Sequence, residues 1–203
     1  MSKTKVVACL AAVVCLFAVL GCSKLTELAN KAANSNSTPQ PEKAWTSQSL
    51  ANTDITVELP GAPKDLSPPL PDNFKPFFSA MHMYSYDGKD FQSSLTEFVS
   101  TGKKKFEIKD LADKCMVAIK RQLSDLNYTT DARSDTNARV SGSFSKAGKN
   151  YDVTGCVVYK KGAKPEKVWA ALALYPKDNA DAKAMAQRIV ESATFKDSTE
   201  TCK

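Results

Sequence analysis

Apolar and polar positions fall into two kinds of rhythm along this chain. Ile55, Val57 and Leu59 alternate with Thr56 and Glu58, which predicts a strand with one buried face. Pro60-Gly61 stops it. The segment 60–76 then carries Pro60, Pro63, Pro68, Pro69, Pro71 and Pro76, too many missing backbone donors for regular structure. Two strand-like runs follow, 77–86 and 91–99, joined through Asp87-Gly88, a strong hairpin signal because glycine supplies the positive φ that tight turns need. The rhythm then changes. Ile108, Leu111, Ala112, Cys115, Met116, Ile119, Leu123 and Leu126 form one apolar stripe at three-and-four spacing, predicting a helix over 108–126.

A polar stretch, 127–137, reads as a loop, and a second hairpin follows with strands 138–145 and 150–160 turning at Lys146–Lys149. The run 167–175 comes after a loop at 162–166. It is apolar on both sides, as expected of a central strand covered on both faces. Pro176 ends that strand, and Asp178 or Asn179 can cap a helix over 180–192 whose stripe is Ala182, Met185, Ala186, Ile189, Val190 and Ala193. A short strand at 194–196 closes the pattern. Strands, helix, strands, helix, with hairpins rather than crossovers, predict one α+β domain over 44–203. It would be a mostly antiparallel sheet of about six strands flanked by two main helices.

The first 43 residues follow other rules. Lys3 and Lys5 precede the uncharged run Val6 to Leu20. As a helix that run would cover about 22 Å of the roughly 30 Å of a bilayer's hydrocarbon, so 1–22 reads as a secretory signal rather than an anchor. Residues 23–43, rich in Asn, Ser, Ala, Pro and Gln, bury too little to offset their ordering entropy and read as a flexible tether. The signal ends Val19-Leu20-Gly21-Cys22, which resembles the lipobox of bacterial lipoproteins. Leu20 is bulkier than the family's usual residue at that position. The resemblance implies cleavage before Cys22 and a diacylglyceryl thioether on its sulfur. Such acyl chains supply the several signals that stable membrane attachment requires.

Further along, ITVELPGAP (55–63), the hairpins, the helix, a Gly-containing meander and a final helix running into Ser192 to Phe195 resemble the PsbP-like family. That family includes a photosystem extrinsic protein and many bacterial secreted proteins and lipoproteins. The resemblance implies an antiparallel sheet between helices and no single catalytic chemistry.

Composition narrows the function classes. The chain has 203 residues, 28 Lys+Arg against 22 Asp+Glu, one His and six Cys. A polytopic membrane protein, a disordered chain and a His-rich metal site are all excluded. Loss of Lys3 and Lys5 with the signal lowers the net charge from +6 to +4, far from a nucleic-acid footprint. The only imidazole is His82, which alternation places on one strand face with Phe78, Ala80, Tyr84 and Tyr86, away from Met81 and Met83. It reads best as a structural sheet histidine, since zinc needs three or four protein ligands. No serine sits in a nucleophile elbow, and Asp110, Asp113, Asp178 and Asp181 lie at helix starts, where carboxylates complement the dipole. No cofactor is called for. The densest basic features, Lys103-Lys104-Lys105 and Lys160, Lys161, Lys164 and Lys167, sit at loops or strand ends and read as a solvated face.

An exported chain meets an oxidising space, so one disulfide is expected among Cys115, Cys156 and Cys202. Cys115–Cys156 is the favoured pair, with Cys202 able to staple the tail to either. The expected function is a membrane-tethered, non-enzymatic binding or accessory protein of the cell envelope. Its partners would be the membrane, through its lipid, and an envelope protein or glycan, not nucleic acid. Phe74, Phe77 and Phe78, beside the Pro-rich loop, form the candidate contact surface. An envelope hydrolase using His82 or a carboxylate is the alternative. Ser23 after the lipidated Cys would send the protein to the outer membrane, facing the periplasm, in a Gram-negative host.

Overall fold

The computed structural model describes residues 44–196, apart from 71, 73, 104 and 122, together with Cys202. The expected signal, lipidation site at Cys22 and tether lie outside the described residues. Among the described residues ten strands and two helices follow in the order β1 (Thr46–Ser49), β2 (Ile55–Leu59), β3 (Lys64–Asp65), β4 (Phe78–Asp87), β5 (Gln92–Ser100), α1 (Ile108–Lys120), β6 (Asn127–Ala132), β7 (Asn137–Lys146), β8 (Lys149–Lys160), β9 (Lys167–Pro176), α2 (Ala180–Ser192) and β10 (Thr194–Phe195). This is the expected α+β class, with more strands than the pattern announced.

The main sheet has seven antiparallel strands in the order β3-β4-β5-β9-β8-β7-β6. The apolar run of β9 takes the middle place, as its two-sided pattern requires. A second sheet, β1-β2-β10, draws two strands from the start of the domain and one from its end. Alternation along β8 and β9 divides the core in two. Val153, Val157, Tyr159, Val168, Ala170 and Leu172 face α1, and Cys156, Val158, Trp169, Ala171 and Ala173 face α2 and the small sheet. The main sheet is therefore the filling between two apolar layers.

Local chemistry sets the boundaries. Asn179, one of the two residues expected to cap the second helix, accepts from the Ala182 N–H at 3.0 Å. At the β7–β8 turn Ala147 and Gly148 both have positive φ, 50° and 75°, which is the turn whose twist suits a two-residue hairpin. The first helix ends at Lys120 rather than 126, yet Leu123 and Leu126 remain buried against the same core from the loop beyond it. The loop expected over 127–137 is half strand: β6 pairs with β7 as the sheet edge. β3 forms inside the Pro-rich segment expected to be irregular, pairing with β4 at Ser85 and Tyr84.

The sheet has two distinct ends. One holds the turns at 88–91 and 147–148 and the start of α2. The other holds the loops 101–107, 133–136 and 161–166. β2 runs between them: Asp54, just before it, contacts Lys167 at the loop end, while Gly61, just after it, lies against the Tyr86 ring near the turn end.

Candidate functional site

Of the three residues expected to form a contact surface, two are buried. Phe74 and Phe78 are buried in the α1-side core, where the Phe78 ring lies 5.1 Å from Phe98 and 5.3 Å from Phe106. Phe77 is half-buried and packs against the same core. A bulge between Phe78 and Ala80 explains the misplacement. The extra residue switches the parity of β4, so Phe78 joins Met81 on the α1 side, away from Tyr84 on the other.

The favoured disulfide is also corrected. Cys156 pairs with Cys202, with 5.8 Å between their Cα atoms, and Cys115 is free. Strand alternation aims Cys156 at the α2 side, so the whole sheet stands between it and Cys115 on α1. Cys115 is half-buried against the core, and desolvation pushes its thiol up to about 12, which keeps it protonated at neutral pH. Arg139 donates to the Cys202 carbonyl and holds Glu191 at 3.4 Å, adding polar ties to the covalent one.

His82 is half-buried on β4, directly opposite Glu97 on β5 in register. Glu97 is the unexpected residue. It is 0% exposed in the middle of a nine-residue strand, and nothing but its charge between Thr96 and Phe98 could have flagged it. Its Oε2 accepts from the Asp54 N–H at 3.1 Å, and its Oε1 faces Lys167 Nζ at 3.5 Å, an ion-pair contact rather than a hydrogen bond. Lys167 also pairs with Asp54 Oδ2 at 2.7 Å. Burial raises the Glu97 carboxyl above its usual range, and Asp54 N–H and Lys167 oppose this only in part.

The same cluster reaches the β1–β2 turn from a second side. Tyr84 donates its hydroxyl to the Ala51 carbonyl at 2.6 Å and contacts Asp65 at 3.4 Å. Burial, and then the Asp65 charge, raises the Tyr84 phenol. Ser67 hydrogen bonds lower Asp65, and the charge of His82 adds to this. The turn itself passes through Asn52 at φ 58°. Chemically the arrangement is a clamp. Glu97, Lys167 and Tyr84 hold the small sheet's turn against the main sheet. Glu97 is sealed from solvent and could act on no external substrate as it stands. Among the described residues, no group of three His, Cys, Asp or Glu could hold a metal ion. No helix among them is long and apolar enough to cross a membrane.

Beyond Lys167 the loop end becomes basic. Glu166 organises it: its carboxylate accepts the Tyr159 hydroxyl at 2.5 Å and the Gly162 N–H at 3.0 Å, which keep it well ionised. Tyr159 is buried, and desolvation together with Glu166 pushes its phenol up to about 12. Ser100 N–H donates to the Glu166 carbonyl at 2.8 Å, so the loop after β5 and the loop before β9 are bound together. Lys103, Lys105, Lys161 and Lys164 are all exposed there.

No family model matches the chain, and no curated protein matches it in sequence. Among solved structures it is similar to LpqN of Mycobacterium tuberculosis, described as involved in cell envelope biogenesis, with 15% identity and a TM-score of 0.39, covering 74% of this chain and 90% of that one. It is similar also to a mutant of the protein Mog1, with 12% identity and a TM-score of 0.45, covering 77% of this chain and 98% of that one. At these values the likeness concerns the chain trace and carries no argument about activity.

Proposed function

We propose that the protein is a lipid-anchored lipoprotein of a bacterial cell envelope, a tethered binding or accessory domain rather than an enzyme. The observation that carries this reading is Val19-Leu20-Gly21-Cys22 closing an uncharged run of signal length. The polar stretch 23–43, with few large apolar residues, supports it as a spacer between bilayer and domain. The order of elements over 55–196 supports a PsbP-like domain. The sealing of Glu97 and its commitment to Asp54 and Lys167 favour a structural over a catalytic role for the most unusual carboxylate in the fold. Ser23 after Cys22 supports delivery to the outer membrane in a host that has one.

The test is the mass of the mature N-terminus. Processing is expected to leave Cys22 first, carrying diacylglycerol. Cys22→Ala, or an inhibitor of lipoprotein signal peptidase, is expected to abolish that species and the detergent-phase partitioning that goes with it. An unmodified N-terminus at another residue overturns the reading. His82→Ala tests the non-enzymatic part: it is expected to leave unchanged whatever defect deletion of the protein causes, and a defect equal to the deletion restores the hydrolase.

A further inference from the structure

The basic residues that the sequence spreads over 103–105, 160–164 and 196 are gathered by the fold at the loop end of the sheet. Lys103 and Lys105 follow β5, Lys160 ends β8, Lys161 and Lys164 lie in the loop to β9, and Lys196 follows β10. Lys160 donates to the Lys196 carbonyl at 3.0 Å and lies over the Phe195 ring, so the last strand joins the same surface. The carboxylates in these loops are Glu107 and the braced Glu166, and the neighbouring 133–136 loop adds an exposed Asp135 beside Arg133. Lys167 is neutralised by Asp54 and Glu97. Positive charge therefore predominates at this end.

The surface is also built before any partner arrives. Glu166 ties the loop to Tyr159 and Gly162. Phe106 and Tyr159, in edge contact at 6.1 Å, anchor both lysine-bearing loops in the aromatic core. Lysines on a braced loop lose less backbone freedom on binding than lysines on a loose one. The chain enters the domain at the other end: Thr46 pairs with Leu59, and Gln48 donates to the Gly61 carbonyl at 3.1 Å, beside Tyr86. The twelve residues of β8 separate the two ends by about 40 Å.

We propose that this lysine-bearing end is a docking surface for a polyanionic envelope polymer, one with phosphate groups repeated along its chain. The proposal rests on the envelope reading above. A domain held at its turn end presents the lysines away from the bilayer, which selects a polymer over the anchoring membrane as the occupant. Repeated anions match repeated cations without needing a shaped pocket, and the attraction is screened by salt.

The probe is poly(glycerol phosphate), titrated into the full processed chain in neutral detergent. Binding is expected to weaken as salt is raised. The double variant Lys161→Glu/Lys164→Glu is expected to lose about tenfold or more in affinity. Lys89→Glu/Lys177→Glu makes the same change in net charge with exposed residues at the opposite end, and is expected to lose less than about twofold. Thermal melts of both variants, unchanged from wild type, show that the comparison is between folded proteins. Equal loss in the two variants, or no salt-sensitive binding, overturns the proposal. So does a preference for phosphatidylglycerol-containing over neutral vesicles with no binding of the polymer. The mass of the N-terminus is read separately: an unlipidated chain whose loop end still binds the polymer keeps the docking surface and loses only the anchor.

Discussion

Cys156 and Cys115 lie on opposite faces of the seven-stranded sheet, one toward α2 and the other toward α1, so of Cys115 and Cys202 it is Cys202 that reaches Cys156. The disulfide closes a loop with a sequence separation of 46, which in the chain-entropy view stabilises by about 2–4 kcal/mol. Cys156→Ala/Cys202→Ala is expected to lower stability by that amount in urea unfolding. Iodoacetamide at mildly alkaline pH is expected to label Cys115 more slowly in the native protein than in the denatured chain. Equal rates would contradict the desolvation that pushes this thiol up to about 12.

Glu97 makes stability depend on pH in an unusual direction. Its carboxyl is raised above 4.5, so the folded chain still holds this proton where the unfolded chain has released it. The group's contribution is full below its ordinary value and is lost as pH rises through the folded one. Glu97→Gln cannot ionise. Relative to wild type, it is expected to gain stability as pH rises from about 4.5 through the raised folded value, measured by urea titration at each pH. A difference that stays flat across that range would refute the account.

Two glycine-to-alanine changes separate crowding from strain. At Gly155 a Cβ would stand 2.4 Å from Leu172 Cδ2 and 2.6 Å from the Ala171 carbonyl oxygen, so Gly155→Ala is expected to cost about 3 kcal/mol. Gly148 has φ 75° and nothing within 4 Å of the added carbon. Gly148→Ala is expected to cost only about 1 kcal/mol, through backbone conformation alone. Thermal melts of the pair decide it, and equal costs would contradict the packing at Gly155.

Tyr159→Phe removes the hydroxyl that Glu166 accepts while keeping the ring in the aromatic core. A cost of about 1–2 kcal/mol is expected, since the bond has a charged acceptor that water can partly replace. Amide exchange at Gly162 is expected to quicken, because its N–H shares that carboxylate. Unchanged exchange would mean that the loop is held elsewhere.

Much of the architecture was legible because burial writes a periodic signal. The stripe of α1, the two-sided run of β9 and the Lys146–Lys149 turn stand where alternation and turn chemistry put them. Asp87-Gly88 does open a hairpin connection, but without the expected positive φ: Gly88 is there because a Cβ would stand 2.1 Å from the Phe91 ring. β6 was not legible. As the sheet edge it buries little, and Asn127, Tyr128, Thr129 and Thr130 carry no apolar rhythm. Parity failed at Phe78, since a bulge inserts one residue without any local mark in the sequence. Alternation divided Cys156 from Val157, but it could not say which of the two faces α1 would cover. The clamp was invisible for a related reason. Glu97, Lys167, Asp54 and Tyr84 come from three strands and a turn, and only the register of β4, β5 and β9 brings them together.

The register of β1 has a mechanical consequence. Thr46 through Ser49 pair in sequence with Leu59 back to Thr56, and Trp45 stacks on the Arg188 guanidinium at 4.3 Å. A load applied to the chain ahead of Ala44, with the loop end of the domain held, pulls β1 along its own length. Its rungs then bear the force together in shear, instead of opening one after another as in a zipper. A domain suspended by its first strand in this way resists tension far better than the modest area of that strand would suggest.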